Sequence, residues 1–399
     1  MATTIATGPP GSKGTLLQKC EDHLLQRYDF RFDSVKGRIE YRNKGESAYR
    51  PLQEYDINSI WRVLLKHKIR APVSTLLNLL HSSFTPVHDP FRDYLASLPA
   101  WDQTTDHIQQ LAATVTTTTE TLWTLWFRKW IVAMVGTMQG HGVVNHTVIV
   151  LAGGQGTGKT TWIECLVPEL LRNYAFLGTV DPGNKDTLVH LAECMLINLD
   201  ELENLSKSEI GALKSLITQG TINIRRPYAR GSERLVRRAS FAGSINSRQF
   251  LNDATGSRRF LCVDVLAIEN NHSISIEHVY SQALYMFRDG YRYWFNHDEI
   301  GEVNESNHKY QNSTYEEEML LKTFAPAVKE EAGSLFLTTS EIAAYLKASH
   351  GVSTDPGSIQ RLGKALAKHH FVRGKKGGQL YKYWLNSADG AVCSPPFLP

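Results

Sequence analysis

Gly153, Gly154, Gln155, Gly156, Thr157, Gly158, Lys159 and Thr160 follow one another in the spacing G-x-x-x-x-G-K-T. Glycines let backbone N–H groups turn inward around an anion. The lysine supplies a point charge for β- and γ-phosphates, and the hydroxyl beside it is a Mg²⁺ ligand. An apolar strand, 147–151, leads into the loop. A helix starting near Lys159 and carrying Thr161 leads out, with its positive dipole end toward the phosphates. The chemistry implied is binding and hydrolysis of ATP with Mg²⁺. The alternative is a chance glycine-rich turn, and the flanking strand and helix argue against it.

Three further groups sit where apolar runs begin or end. The run 195–199 ends in Asp200 and Glu201. Such a run suits a strand buried on both faces of a parallel sheet, with its acids at the carboxyl edge where ligands bind. Asp200 is then expected in the Mg²⁺ shell with Thr160, and Glu201 to orient or deprotonate the attacking water. The run 239–245 ends at Asn246, which is placed to bind a γ-phosphate or position water. The plainer reading of Asn246 is a turn-initiating residue. Arg258 and Arg259 precede the apolar strand 261–265. An arginine there suits a finger onto a neighbouring subunit's γ-phosphate, or else forms a surface pair.

The order of these motifs resembles that of the superfamily 3 helicases, a branch of the AAA+ ATPases. More narrowly, it resembles the virulence-associated E family of phages and mobile elements. The resemblance rests on the glycine loop, on Leu199-Asp200-Glu201-Leu202 and on Arg226-Pro227-Tyr228-Ala229-Arg230. It rests also on the strand ending at Asn246, on Gly256-Ser257-Arg258-Arg259-Phe260 and on a lead-in with Trp101-Asp102. It covers roughly residues 85–320. It implies an Asn246 sensor, Arg258 as a finger acting in trans with Arg259 as fallback, and a homo-oligomeric ring, usually hexameric. It also implies that the hairpin carrying Arg225, Arg226, Tyr228 and Arg230 grips single-stranded DNA in the ring channel. The other reading of those arginines is contact with acids or ATP at a subunit interface. Relatives often carry a primase-polymerase domain upstream, and the residues before the core are too few for one.

The elements that must position these groups read as an α/β chain. Residues 1–14 are expected to be a flexible tail, and 15–85 a small α+β region. That region has a hairpin signal at 28–41, a helix capped by Asp56 and a second helix over 73–80. The P-loop ATPase core spans 86–268. Its helical lead-in carries an aromatic stripe with Trp126 and Trp130, read as core rather than as a base-stacking platform. A helical region comes next over 269–320, then a winged helix over 321–386 and a tail over 387–399. The fold class is therefore an AAA+/superfamily 3 P-loop core between a small N-terminal region and a C-terminal winged helix.

Charge supports the same division. The net charge of +3 is uninformative, but six arginines fall between 225 and 238 against one acid, and 361–382 holds no acid. In the second stretch a capping box at 338–341 opens one helix and Asp355-Pro356 opens another. The basic turn at 374–378 comes after them. Arg361, Lys364 and Lys368 on the second helix, with Lys375 and Lys376 in the turn, are expected to meet duplex DNA. The rival reading is a winged helix used for protein contacts. Five scattered cysteines fit neither a zinc site nor a disulfide framework and point to a reducing cytoplasm. No apolar run approaches a membrane span. The expected function is an ATP-dependent DNA helicase in phage or mobile-element replication. The second reading is a non-processive AAA+ DNA-binding ATPase that loads a partner or melts an origin locally.

Overall fold

The computed structural model describes residues 14–388, apart from 179, 182–183, 225–230, 232, 248, 252–256 and 376–379. The chain opens with α1 (Leu16–Arg27), β1 (Tyr28–Asp33), β2 (Arg38–Asn43), β3 (Arg50–Pro51), α2 (Glu54–Lys66), α3 (Val73–Leu80) and β4 (Val87–His88). The sheet order is β3-β2-β1-β4, and its apolar face meets Leu24, Ile60, Leu64 and Leu76 of the helices. The expected hairpin is present, with Phe30 opposite Tyr41. Strand β4 joins the same sheet beside β1, so this unit runs to His88 rather than stopping at 85. Asp56 is not the cap of α2. It lies inside the first turn, and its carboxylate accepts from the N–H of Gln53, which is the cap. Two hydrogen bonds tie the unit to the central part of the chain. The Tyr174 hydroxyl donates to Asp33 (2.8 Å), and Lys36 Nζ donates to Asn173 O (2.6 Å).

The centre is built from α4 (Pro90–Ser97), α5 (His107–Ala113), β5 (Val115–Thr117), α6 (Glu120–Met138), β6 (Val148–Ala152), α7 (Lys159–Cys165), β7 (Ala175–Gly178), α8 (Lys185–Glu193) and β8 (Leu196–Leu199). It continues through α9 (Lys207–Thr218), β9 (Thr221–Ile224), β10 (Glu233–Val236), β11 (Ser240–Ile245), β12 (Phe260–Ile268), α10 (Ile276–Arg288) and α11 (His297–Asn307). Six strands form one sheet in the order β5-β12-β6-β11-β8-β7. All neighbours are parallel except β5, which runs antiparallel to β12. Every residue of β6, β8 and β11 is buried. Both faces are covered, which is why these strands read as unbroken apolar runs. Ile149, Leu151, Leu261 and Val263 pack under Trp126, Trp130, Trp162 and Tyr280. Val148, Val150, Ile197 and Phe241 pack on the other side against Leu191, Leu213 and Ile217. The tryptophans are core, as expected, and their indole N–H groups are satisfied. Trp130 donates to Phe241 O (3.0 Å) and Trp162 to Thr114 Oγ1 (2.8 Å).

Arg237, fully buried, fastens the arginine-rich hairpin to this layer. It donates to Ala239 O (2.7 Å), Leu216 O (3.2 Å), Ile217 O and Asn145 O (3.1 Å). Each acceptor is a main-chain carbonyl. Two belong to the last turn of α9, where carbonyls lack helical partners and a cation is favourable.

The C-terminal unit consists of α12 (Tyr315–Thr323), β13 (Phe324–Pro326), β14 (Leu335–Leu337), α13 (Thr339–His350), α14 (Pro356–Lys368), β15 (Arg373–Gly374) and β16 (Lys382–Ser387). Strand β16 pairs antiparallel with β13, β14 and β15. The capping boxes of the sequence are real: Thr338 and Glu341 cap α13, and Asp355 caps α14 ahead of Pro356. The unit starts at α12 rather than at 321, because Leu320 of α12 is buried with Leu346, Leu362 and Leu366. Glu316 and Glu317 of α12, both buried, bind α14: Glu316 with Arg361 (2.7 Å), Glu317 with Lys368 (2.8 Å) and His369 (2.7 Å).

Replacing Arg237 with alanine should cost on the order of 3 kcal/mol, since it opens a cavity and strands buried carbonyls. Chemical unfolding measures it. Acid should loosen the C-terminal unit. The Arg361 guanidinium holds the Glu316 carboxyl down to about 2, below its ordinary 4.5. A depressed carboxyl stabilises the fold above about pH 4.5 and loses that contribution as pH falls toward about 2. The near-UV signal of Trp384 should report this loss, and Glu316→Gln should flatten the response.

Candidate nucleotide site

Strand β6 delivers the glycine loop at the carboxyl edge of the sheet. Gly156 and Gly158 have φ of +80° and +83°, a region closed to most side chains. At Gly158 there is a second reason for glycine: an added Cβ would lie 2.1 Å from Asn270 Nδ2. Lys159, buried at the start of α7, donates from Nζ to Gly153 O (2.8 Å), Gly154 O (2.7 Å), Thr157 Oγ1 (3.2 Å) and Asn246 Oδ1 (3.2 Å). Burial lowers its pKa, and Glu203 and Asp200 oppose that shift.

Strand β11 lies between β6 and β8, so its tip stands between the glycine loop and the acids. Asp200 comes directly after β8 and accepts from Thr160 Oγ1 (2.9 Å) and Ser244 Oγ (2.6 Å). Asn246 comes directly after β11 and reaches Lys159 with its side chain. Its N–H donates to Glu203 Oε1 (2.8 Å). Lys159, Thr160, Asp200 and Asn246 are thus brought together as expected. Glu201 is adjacent but turned aside. It is exposed at φ +53°, with its carboxylate accepting from Asn204 Nδ2 (2.8 Å). Ser244, Glu203 and Asn270 were not singled out from the sequence. The available signal for Ser244 was a hydroxyl inside an otherwise apolar strand, two residues before Asn246.

Arg258 and Arg259 lie at the other edge of the sheet. Their short helical turn, Ser257–Arg259, precedes β12, and Phe260 pairs with Val148 at the first residue of β6. Five strand residues at about 3.3 Å each separate that edge from the glycine loop, roughly 16 Å. An arginine side chain does not span that distance, so neither arginine meets the Lys159 of its own chain. Both line a cavity of about 290 Å³ with His146, Trp294 and Phe295. Arg258 is exposed.

The profile of the virulence-associated protein E-like domain matches residues 95–312, more than half of the chain. The chain belongs to that family. The matched span holds the glycine loop, Asp200, Asn246 and both arginines, and it ends before α12 of this family member. No curated protein matches the chain. Among solved structures it is similar to an apo form of the NrS-1 C-terminal region (305–718), at 12% identity and TM-score 0.49, covering 94% of this chain and 99% of that one. An A-form apo structure of the same region gives 12% identity and TM-score 0.47, covering 92% and 98%.

Of the residues expected to meet DNA, Arg225, Arg226, Tyr228, Arg230 and Lys376 lie outside the described residues. The strands that flank the first four, β9 and β10, pair antiparallel as a hairpin requires. Arg361 and Lys368 are not simply outward. Their cations are committed to Glu316 and Glu317. Lys364 is exposed, and Lys375 lies over the Tyr381 ring at 4.4 Å.

Ser244→Ala removes one of the two hydroxyls that orient Asp200. It should weaken Mg²⁺-dependent nucleotide binding by roughly tenfold, the usual cost of losing a partner behind a metal ligand. Titrating a fluorescent ATP analogue with and without Mg²⁺ checks this, and binding without Mg²⁺ should barely change.

Proposed function

We propose that this chain is an ATP-driven DNA helicase of superfamily 3 type, acting in replication of a phage or mobile element. The observation that carries the reading is the convergence of Lys159, the Thr160–Asp200 pair and Asn246 at one sheet edge, with Arg258 exposed at the opposite edge. Lys159 would neutralise the β- and γ-phosphates, and Asn246 would hold the γ-phosphate end in line. The donor set beside Lys159 fits Mg²⁺: a hydroxyl and a carboxylate, both hard oxygen ligands. Among the described residues no cluster of three or more His, Cys, Asp or Glu exists. That suits a Mg²⁺ held by Thr160, Asp200 and substrate phosphates rather than by a protein cage. When bound, it would spread the charge that develops on the transferring phosphoryl group.

An arginine that cannot reach its own site is useful only to another copy. Arg258 would serve a neighbour's γ-phosphate in a homo-hexameric ring, with Arg259 as the fallback. The AAA+ reading of the core rests on this division of labour. The hairpin carrying Arg225, Arg226, Tyr228 and Arg230 would meet single-stranded DNA in the channel. The order α12-β14-α13-α14-β15-β16 fits a winged helix, with α14 and the turn at Lys375 and Lys376 toward duplex DNA. With Arg361 and Lys368 engaged by acids, Lys364 and Lys375 carry more of the expected phosphate contact. The second reading, a non-processive AAA+ DNA-binding ATPase, is favoured by the same site. Processive strand displacement separates the two. Among the described residues no helix is long and apolar enough to cross a membrane, and the site as read would work in the cytoplasm.

Forked-DNA unwinding with ATP tests the reading, and an inert wild-type chain sinks it. Lys159→Ala should abolish hydrolysis. Arg258→Ala should bind ATP normally yet turn it over on the order of 10³-fold more slowly. Mixing the two variants should restore part of the activity, because some interfaces then pair an intact loop with an intact finger. In DNA titrations across salt, replacing Lys364 and Lys375 together should lower the slope by about two. An unchanged slope places duplex binding elsewhere.

A further inference from the structure

Hydrolysis needs a group that takes a proton from the attacking water. Position beside Asp200 nominates Glu201, but the local backbone gives the two nearby glutamates different settings. Glu201 sits at φ +53°, exposed, and its carboxylate is held by Asn204. The left-handed residue reverses the chain into the short turn Leu202–Asn204. Leu202 is buried there, its Cδ1 packed where a Cβ on Gly243 would stand 2.7 Å away. That anchor turns Glu203 back toward the tip of β11. Its Oε1 accepts from the Asn246 N–H at 2.8 Å, while Asn246 Oδ1 accepts from Lys159 Nζ at 3.2 Å. One residue therefore holds the carboxylate on one side and the phosphate-binding ammonium on the other. Of the two acids that raise the pKa of Lys159, Glu203 acts more strongly than Asp200. The second oxygen of Glu203, Oε2, is buried and accepts no hydrogen bond. A buried carboxylate oxygen left so is costly, and a water donating to it removes the cost.

We infer that Glu203, rather than Glu201, is the carboxylate that positions and deprotonates the lytic water. The inference rests on the ATPase reading above. The water oxygen forms a bond to the γ-phosphorus, and the bond from that phosphorus to the β,γ-bridging oxygen breaks, its electron pair leaving with ADP. The water proton passes to Glu203 Oε2 and from there to solvent, so ATP and water give ADP, phosphate and a proton. Glu201 instead shapes the turn that delivers Glu203.

The test compares wild type, Glu201→Gln, Glu203→Gln and Glu203→Asp. It measures steady-state kcat for ATP with Mg²⁺ and Kd for a fluorescent ATP analogue. Glu203→Gln keeps an acceptor for the Asn246 N–H and should lower kcat by about 10²-fold or more while Kd stays within about twofold. Glu203→Asp should recover part of the loss, and Glu201→Gln should keep kcat within about threefold of wild type. The inference is overturned if Glu203→Gln turns over at the wild-type rate, if its defect lies in Kd alone, or if Glu201→Gln shows the larger loss of kcat. If Glu203→Gln does not fold, Glu203→Asp against Glu201→Gln decides in the same way. A wild-type chain without Lys159-dependent hydrolysis is a different failure, that of the ATPase reading itself.

Discussion

Main-chain hydrogen bonding between β6, β11 and β8 sets the register on which the site depends. Ile245 stands opposite Ala152, and Gly243 opposite Leu199. The glycine loop, Asn246 and Asp200 consequently leave the sheet at one level, within reach of each other's side chains. The pairing continues one residue past the strands, where the Gly153 N–H donates to Ile245 O. A slip of one residue would send each strand's core residues to the wrong face. The apolar layers above and below the sheet therefore fix the chemistry as firmly as they fix the fold.

Much of this was legible because burial on both faces leaves a plain mark. The runs ending at Ala152, Leu199 and Ile245 are apolar without alternation, and each is punctuated by the residue that matters. Ser244 escaped because a lone hydroxyl in a buried strand reads as tolerated packing until its carboxylate partner is seen. Glu203 escaped because its role depends on the left-handed backbone at Glu201, a conformation no spacing rule foretells for a glutamate. Asn270 belongs to the loop after β12, and only the fold brings that loop against Gly158.

The basic C-terminal stretch teaches the reverse lesson. An acid-free run looks free to meet phosphate, yet Arg361 and Lys368 find acids on α12, far upstream in the chain. Long-range pairing of this kind is invisible to a window along the sequence. Likewise Asp56 has the residue type of a cap but serves one turn later, because Gln53 already ends the extended segment. The arginines near 225–238 also divide: Arg237 is a buried fastener among carbonyls, and Arg238 pairs with Asp89 at 2.9 Å. A cluster counted as one surface charge is partly interior structure.

The separation of the arginine pair from the glycine loop carries a consequence for symmetry. A contact that seats the amino edge of one sheet on the carboxyl edge of another joins unlike surfaces. Two copies related by a two-fold axis would bring like edges together and leave both loops without a guanidinium. Such an interface can only repeat head to tail, closing into a cycle or winding on as a filament according to the rotation at each step. Every copy in it is a donor to one neighbour and a recipient from the other, so the assembly has a direction that no single chain possesses.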